Sequence, residues 1–119
     1  MTAVFTLDQV KKIIDLVDNK TPLILSVFAG RIADTGRDPI PLMKNFINLV
    51  KPKDNIEILW ASTREVINIF QAEEINCHII TVPGGLLGKL NNLNKDLENF
   101  SKETVLDFYN DAKSAGYNI

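Results

Sequence analysis

The sequence predicts an α/β protein: a parallel sheet of four strands, each strand followed by a helix. Three observations lead there. Short apolar runs begin near residues 3, 23, 56 and 78. Between them the apolar residues recur at helical spacing. One run, Leu23 to Phe28 (LILSVF), is apolar enough for burial on both faces, as in a parallel sheet lying under helices. Strand and helix alternating in this rhythm describe right-handed βα units. A closed barrel of such units needs eight strands and about 250 residues. This chain has half of each, so the expected architecture is a (β/α) half-barrel of the TIM type, one domain over residues 1–119.

Each element has its own justification. Thr2-Ala3-Val4-Phe5 reads as a strand, and Thr6 followed by Gln9 forms a capping box that opens a helix. Val10, Ile13, Ile14 and Val17 keep the helical stripe, which stops at Asn19-Lys20-Thr21-Pro22. After the strand at Leu23 to Phe28, the stretch Ala29 to Gly36 reads as a loop with an early arginine and two glycines. Leu42, Phe46, Leu49 and Val50 make the next stripe, closed by Lys51-Pro52-Lys53. The long connection between that strand and helix is the kind of place where binding residues sit.

Ile56 to Glu74 is the stretch around which the others are arranged. Ile56, Ile58 and Trp60 alternate with Glu57 and Leu59, then Val66, Ile67 and Phe70 change to helical spacing. The change falls at Ser62-Thr63-Arg64. A helix starting at Thr63 offers unpaired N–H groups and the positive end of its dipole, to which Arg64 adds a full charge: a seat for a phosphate. Ser62 with Glu65 three positions on is equally a plain capping box that binds nothing. Beyond it, His78 to Val82 is a strand stopped by Pro83-Gly84-Gly85, and Leu86, Leu87 and Leu90 suit a short helix. Asn91 to Lys95 is a polar connection, and the last helix has Ser101 as N-cap, Val105, Phe108, Tyr109 and Ala112 as its stripe, and Gly116 as its stop.

Composition bounds the partners. With 45% hydrophobic and 24% charged residues and a net charge of −2, no bulk electrostatic attraction to nucleic acid or to an anionic membrane is expected. The single cysteine, Cys77, allows no intrachain disulfide. It reads as a small buried hydrophobe, because its neighbour His78 would point to the opposite face of a strand. The N-terminus carries no basic leader and no apolar run reaches membrane-span length, so a cytoplasmic protein is expected. No metal and no cofactor is expected.

Three stretches together are distinctive. Thr2-Ala3-Val4-Phe5-Thr6, then Ser26-Val27-Phe28-Ala29-Gly30-Arg31-Ile32 with Asp34, then Ala61-Ser62-Thr63-Arg64, ending in Ile80-Thr81-Val82-Pro83, resemble the carboxyl half of the transaldolase family, including its small fructose-6-phosphate aldolase-like branch. The resemblance runs from the family's fifth barrel strand to its terminal helix. It implies sugar-phosphate chemistry of the pentose phosphate kind, in which a lysine forms a Schiff base with a ketose and a dihydroxyacetone unit is cleaved off or transferred. It further implies that Arg31 and Arg64 bind the substrate's phosphate with help from Ser62, that Ser26 contacts the sugar, and that Thr2 holds the catalytic water. Two arginines at the ends of neighbouring strands can fork onto one phosphate dianion.

The family's Schiff-base lysine and its acidic proton relay lie on strands that precede the first residue here. Lys11, Lys12, Lys44, Lys89, Lys95, Lys102 and Lys113 fall on helices or their margins, and Lys20, Lys51 and Lys53 in connections. A Schiff-base lysine must be desolvated, and solvated helix-face lysines are not. The expected function is therefore the phosphate-binding half of a transaldolase-like enzyme, inactive alone. The alternatives are a non-catalytic sugar-phosphate or anion-binding module and a degenerate fragment without a role. Open strand edges also call for cover, by a second copy completing an eight-stranded ring, by a complementary half-barrel chain, or by exchange of the terminal helix between subunits.

Overall fold

The computed structural model describes residues 1–118 of the chain, in two compact units, Met1–Gly88 and the stretch from Lys89 onward. The first unit holds the sheet. Its elements are α1 (Leu7–Leu16), β1 (Leu23–Val27), α2 (Ala29–Asp34), α3 (Pro39–Val50), β2 (Ile56–Trp60), α4 (Ile67–Glu74), β3 (Ile79–Ile80) and α5 (Gly84–Gly88). The strands lie in the order β1-β2-β3 and every pairing is parallel, with Leu25 opposite Ile58 and Val27 opposite Trp60.

One face of this sheet makes the core. Leu25, Val27, Ile56, Ile58 and Trp60 are buried against Val10 of α1 and Met43, Phe46 and Val50 of α3. On the opposite face Ile24 and Glu57 are exposed and Ser26 and Leu59 half-buried. The strand period of two is thus read out as one dry face and one open face.

The expected first strand is reduced to a single parallel bridge between Val4 and Val27. The segment does run beside β1: Val4 N–H donates to Ser26 O (3.1 Å), Phe28 N–H to Val4 O (3.1 Å) and Ser26 N–H to Met1 O (2.9 Å). Ala3 breaks it, with a left-handed φ of +58° that interrupts an extended ladder. The sheet named by its ladders therefore has three strands among the described residues, not four.

Helix starts and stops show where sequence patterning suffices. The capping box at α1 forms as expected, with Gln9 N–H on Thr6 Oγ1 (3.3 Å) and Thr6 N–H on Gln9 Oε1 (3.0 Å). The expected loop at Ala29 to Gly36 is instead helical over α2, because Ala29, Gly30 and Ile32 are all buried and hold that stretch against the sheet. The expected strand from His78 to Val82 shrinks to two residues. There Ile58 N–H donates to His78 Nδ1 (3.1 Å), a side chain taking the place of a backbone ladder partner.

In the second unit the turn Lys89–Asn92 leads to α6 (Leu97–Ser114). Its N-cap is Asp96, whose Oδ2 accepts from Asn99 N–H (2.9 Å), and Ser101, the expected cap, lies inside the helix. The stop is as expected: Gly116, at φ +83°, lets Tyr117 N–H reach Ala112 O (3.0 Å) and its own N–H reach Lys113 O (3.1 Å).

The turn from α1 to β1 is tied by Asp18. Its Oδ1 accepts from Lys20 N–H and Thr21 N–H (both 2.7 Å) and its Oδ2 from the Thr21 hydroxyl (3.1 Å). These donors, the two backbone amides first, hold its carboxyl below the ordinary value of 3.8. A carboxyl depressed in the folded state stabilises at pH above its unfolded value, and that gain is lost as pH falls through the folded one. The stability gap between wild type and Asp18→Ala is expected to be constant above about pH 5 and to close in acid. Chemical denaturation at a series of pH values measures it, and a gap that persists unchanged in acid refutes the assignment.

Candidate functional site

The parallel sheet brings the residues that follow β1, β2 and β3 to one edge. After β1 the chain enters α2, which carries Gly30, Arg31 and Asp34. After β2 it turns at Ser62, where φ is +59°, a conformation uncommon for any residue but glycine and one that collects at functional sites. The two segments touch through their backbones. Gly30 N–H donates to Ala61 O (3.3 Å), and a Cβ added to Gly30 would stand 1.5 Å from Ser62 O. Gly30 is glycine because another chain passes where a side chain would be.

That contact sets the polar groups. Arg64 Nη2 donates to Asp34 Oδ2 at 2.7 Å, joining the β2 loop to the end of α2, with both side chains about half exposed (51% and 53%). Arg31, one turn before Asp34 on the same helix, lies over the Phe28 ring, Cζ 5.0 Å from its centroid. Phe28 in turn meets Phe5 edge to face at 5.7 Å. Ser62 is half-buried beside Gly30. On the open sheet face Thr2 Oγ1 donates to Ser26 Oγ at 3.4 Å.

Of the expected site residues, then, Arg31, Ser62 and Arg64 are attached to α2 or to the loop pressed on it, and Thr2 and Ser26 pair with each other. The helix start is different from the expectation. α4 begins at Ile67, not Thr63, and the capping box of Ser62 with Glu65 does not form. Asn68 Oδ1 accepts from both Arg64 N–H (3.1 Å) and Glu65 N–H (3.0 Å), so these amides are engaged by a side chain from within the helix. Ser62, turned left-handed, leads Thr63 inward, where it is 5% exposed and its hydroxyl donates to Thr81 O at 2.6 Å.

Three residues escaped the sequence reading. Gly30 looked like a loop glycine, Asp34 carried no assigned role, and Asn68 carried no signal at all, since an asparagine one turn inside a helix normally weakens it. Gly30 and Asp34 left a trace only as members of the motif around Arg31, without a contact of their own.

Among the described residues no group of three or more His, Cys, Asp or Glu side chains is placed to hold a metal, and no helix is long and apolar enough to cross a membrane. Cys77 packs partly buried against the core with its Sγ 3.5 Å from Ile58 O and 3.4 Å from Ile79 O, and burial pushes its thiol up, away from the thiolate.

The sequence profile described as Transaldolase/Fructose-6-phosphate aldolase matches residues 1–119. A probable transaldolase 2 from Listeria monocytogenes is 38% identical over 86 residues, covering 66% of this chain and 38% of the relative. A probable transaldolase from Nitrosopumilus maritimus is 36% identical over 84 residues, with the same two shares, 66% and 38%. The chain thus matches about two fifths of the length of these relatives.

Proposed function

The chain belongs to the transaldolase/fructose-6-phosphate aldolase family, and on that premise we propose that it supplies the phosphate-binding edge of a sugar-phosphate aldol enzyme. Its strands stand in the carboxyl half of a (β/α) barrel. The observation that carries the reading is the Arg64–Asp34 pair at 2.7 Å, which ties a guanidinium after β2 to the helix bearing Arg31 after β1. Asp34 occupies one of five N–H donors of Arg64 and orients the rest. Arg31 is held by a ring face and keeps its donors for an oxyanion. A phosphate dianion entering there meets two guanidinium groups and the Ser62 hydroxyl, each a charge-assisted donor to an ionised acceptor. The pair of hydroxyls at Thr2 and Ser26 lies on the open sheet face and serves the sugar and the water.

Aldol cleavage by this route needs an amine that attacks the ketose carbonyl, loses water to form the imine, and is regenerated when water returns. Every lysine of this chain lies on a helix or a connection. Lys95 and Lys53, the two that are half-buried, are bound to Glu103 and to Asn19 Oδ1 respectively. None is desolvated at a strand end. This favours a second form of the reading, in which the chain alone binds the sugar phosphate and the lysine comes from elsewhere in the assembled enzyme.

One set of experiments tests both forms. Phosphate is expected to raise the melting temperature of the wild-type chain, by an amount that grows with the logarithm of its concentration above Kd. Arg31→Ala and Arg64→Ala should each weaken binding roughly tenfold or more, the worth of a hydrogen-bonded charge. If both variants respond to phosphate as wild type does, the site is elsewhere. Borohydride reduction with fructose 6-phosphate present is expected to leave the mass of the chain unchanged. A mass increase would show that one of its own lysines forms the imine.

A further inference from the structure

We propose that a cavity beside the phosphate edge, walled by α2 and the starts of α1 and α3, binds a small apolar monocarboxylate through Arg37, a group distinct from Arg31 and Arg64. The cavity has a volume of about 360 Å³. Its walls are Phe5, Thr6 and Leu7 leading into α1, Ile32 of α2 and Leu42 of α3, with Thr35 and Arg37 exposed at its rim. This size lies within the range of small-molecule sites, and apolar walls with a few convergent polar groups are their usual make-up.

The cation at the rim is aimed. Gly36, at φ +78°, turns the chain back after α2, and Gly36 N–H closes the turn on Ala33 O (2.9 Å). The Thr35 hydroxyl donates to Ile32 O (2.7 Å), and Arg37 Nη1 donates to Thr35 Oγ1 (2.9 Å). This relay fixes the guanidinium through one donor and leaves its fork for a ligand. The acids beside it in sequence are engaged elsewhere. Asp38 Oδ1 accepts from Ile40 N–H (2.9 Å) as the N-cap of α3, and Asp34 is paired with Arg64. Among the described residues Arg37 has no carboxylate partner.

A cation just beyond the C-terminus of α2 also suits the helix dipole. A dipole role needs no cavity, and it predicts no ligand. A carboxylate with a short apolar tail satisfies both features at once. The head forms two parallel N–H···O bonds with Arg37, and the tail displaces water from Phe5, Leu7, Ile32 and Leu42. A phosphosugar, polar along its whole length, would leave Phe5, Leu7, Ile32 and Leu42 without apolar contact.

Phenylacetate and its uncharged counterpart phenylacetamide separate the possibilities. Titrating the wild-type chain with phenylacetate should give saturable shifts in the methyl NMR signals of Leu7, Ile32 and Leu42. Phenylacetamide should bind at least about tenfold more weakly, as should phenylacetate to Arg37→Ala, the worth of a charged hydrogen-bonded pair. Absence of saturable shifts with phenylacetate overturns the proposal. So does equal binding of acid and amide, a comparison made on the wild-type chain and independent of whether the variant folds. Arg31→Ala and Arg64→Ala should leave phenylacetate binding unchanged. Loss in either would mean that the carboxylate was reporting the phosphate edge.

Discussion

Gly30→Ala is expected to destabilise the chain by roughly 3 kcal/mol or more, an unusually large effect for the addition of one methyl group. The new Cβ would lie 1.5 Å from Ser62 O and 2.6 Å from Ser62 C, both backbone atoms that cannot rotate away. Relieving the overlap means parting α2 from the β2 loop. That breaks the bond from Gly30 N–H to Ala61 O and moves Arg64 relative to Asp34. Loss of stability and loss of the phosphate response should therefore appear together, in urea unfolding and in phosphate-dependent melting. Gly85→Ala is the control. Nothing lies within 4 Å of a Cβ at that position, so the change should be neutral or slightly stabilising. Equal behaviour of the two variants would show that the close approach at Gly30 is not what requires glycine.

The second large effect is at Trp60. Its side chain is 1% exposed, the largest fully buried one in the chain, on the face of β2 that packs under the helices. Trp60→Ala should cost about 3–5 kcal/mol, through lost burial and the cavity left behind. Against a total of about 5–15 kcal/mol for a typical domain, that is a large fraction of the stability. Trp60→Phe should be far milder, within about 1.5 kcal/mol. The indole Nε1–H is buried and has no hydrogen-bond partner among the described residues, so phenylalanine loses volume but also removes an unpaired donor. Denaturant unfolding of both variants decides it. If Trp60→Phe is as damaging as Trp60→Ala, shape alone governs the site and the donor is immaterial.

Both predictions depend on contacts that differ in how visible they were from the chain. The burial of Trp60 was legible. Ile56, Ile58 and Trp60 alternate, and a period of two assigns them to one face wherever they fold. The capping box at Thr6 and Gln9, the stripe through Val10 and the glycine stop at Gly116 were legible for the same reason. Each uses partners within a turn or two, so spacing determines the geometry. The motif residues were also legible as a family signature, and the profile match over residues 1–119 bears out the kinship.

Two kinds of assignment failed: caps for which another side chain of equal reach competes, and contacts whose partners are distant in sequence. Ser62 with Glu65 satisfied the local rule for a cap, but Asn68 and a left-handed Ser62 took the site another way. Ala29 to Gly36 looked like a loop because glycine usually marks one. Here Gly30 is small so that the backbone at Ser62 can reach it, across a gap of 32 residues. His78 reads by sequence as part of a strand, yet its side chain, not its backbone, meets Ile58.

By itself, then, the sequence determined most of the alternation of strand and helix, the buried faces of β2, α1 and α3, and membership of the family, because these follow from periodicity and local motifs, whereas the stripe of α6 and one face of β1 are largely exposed. Only the tertiary structure decided that Arg64 belongs to Asp34, that Gly30 is the contact between the two strand-end loops, and that Arg37 stands over an apolar cavity. Each of these joins groups that come within bonding distance only after parallel strands pair. No spacing rule reaches that far, since the loop between them is closed by the packing of the core and not by the residues that meet.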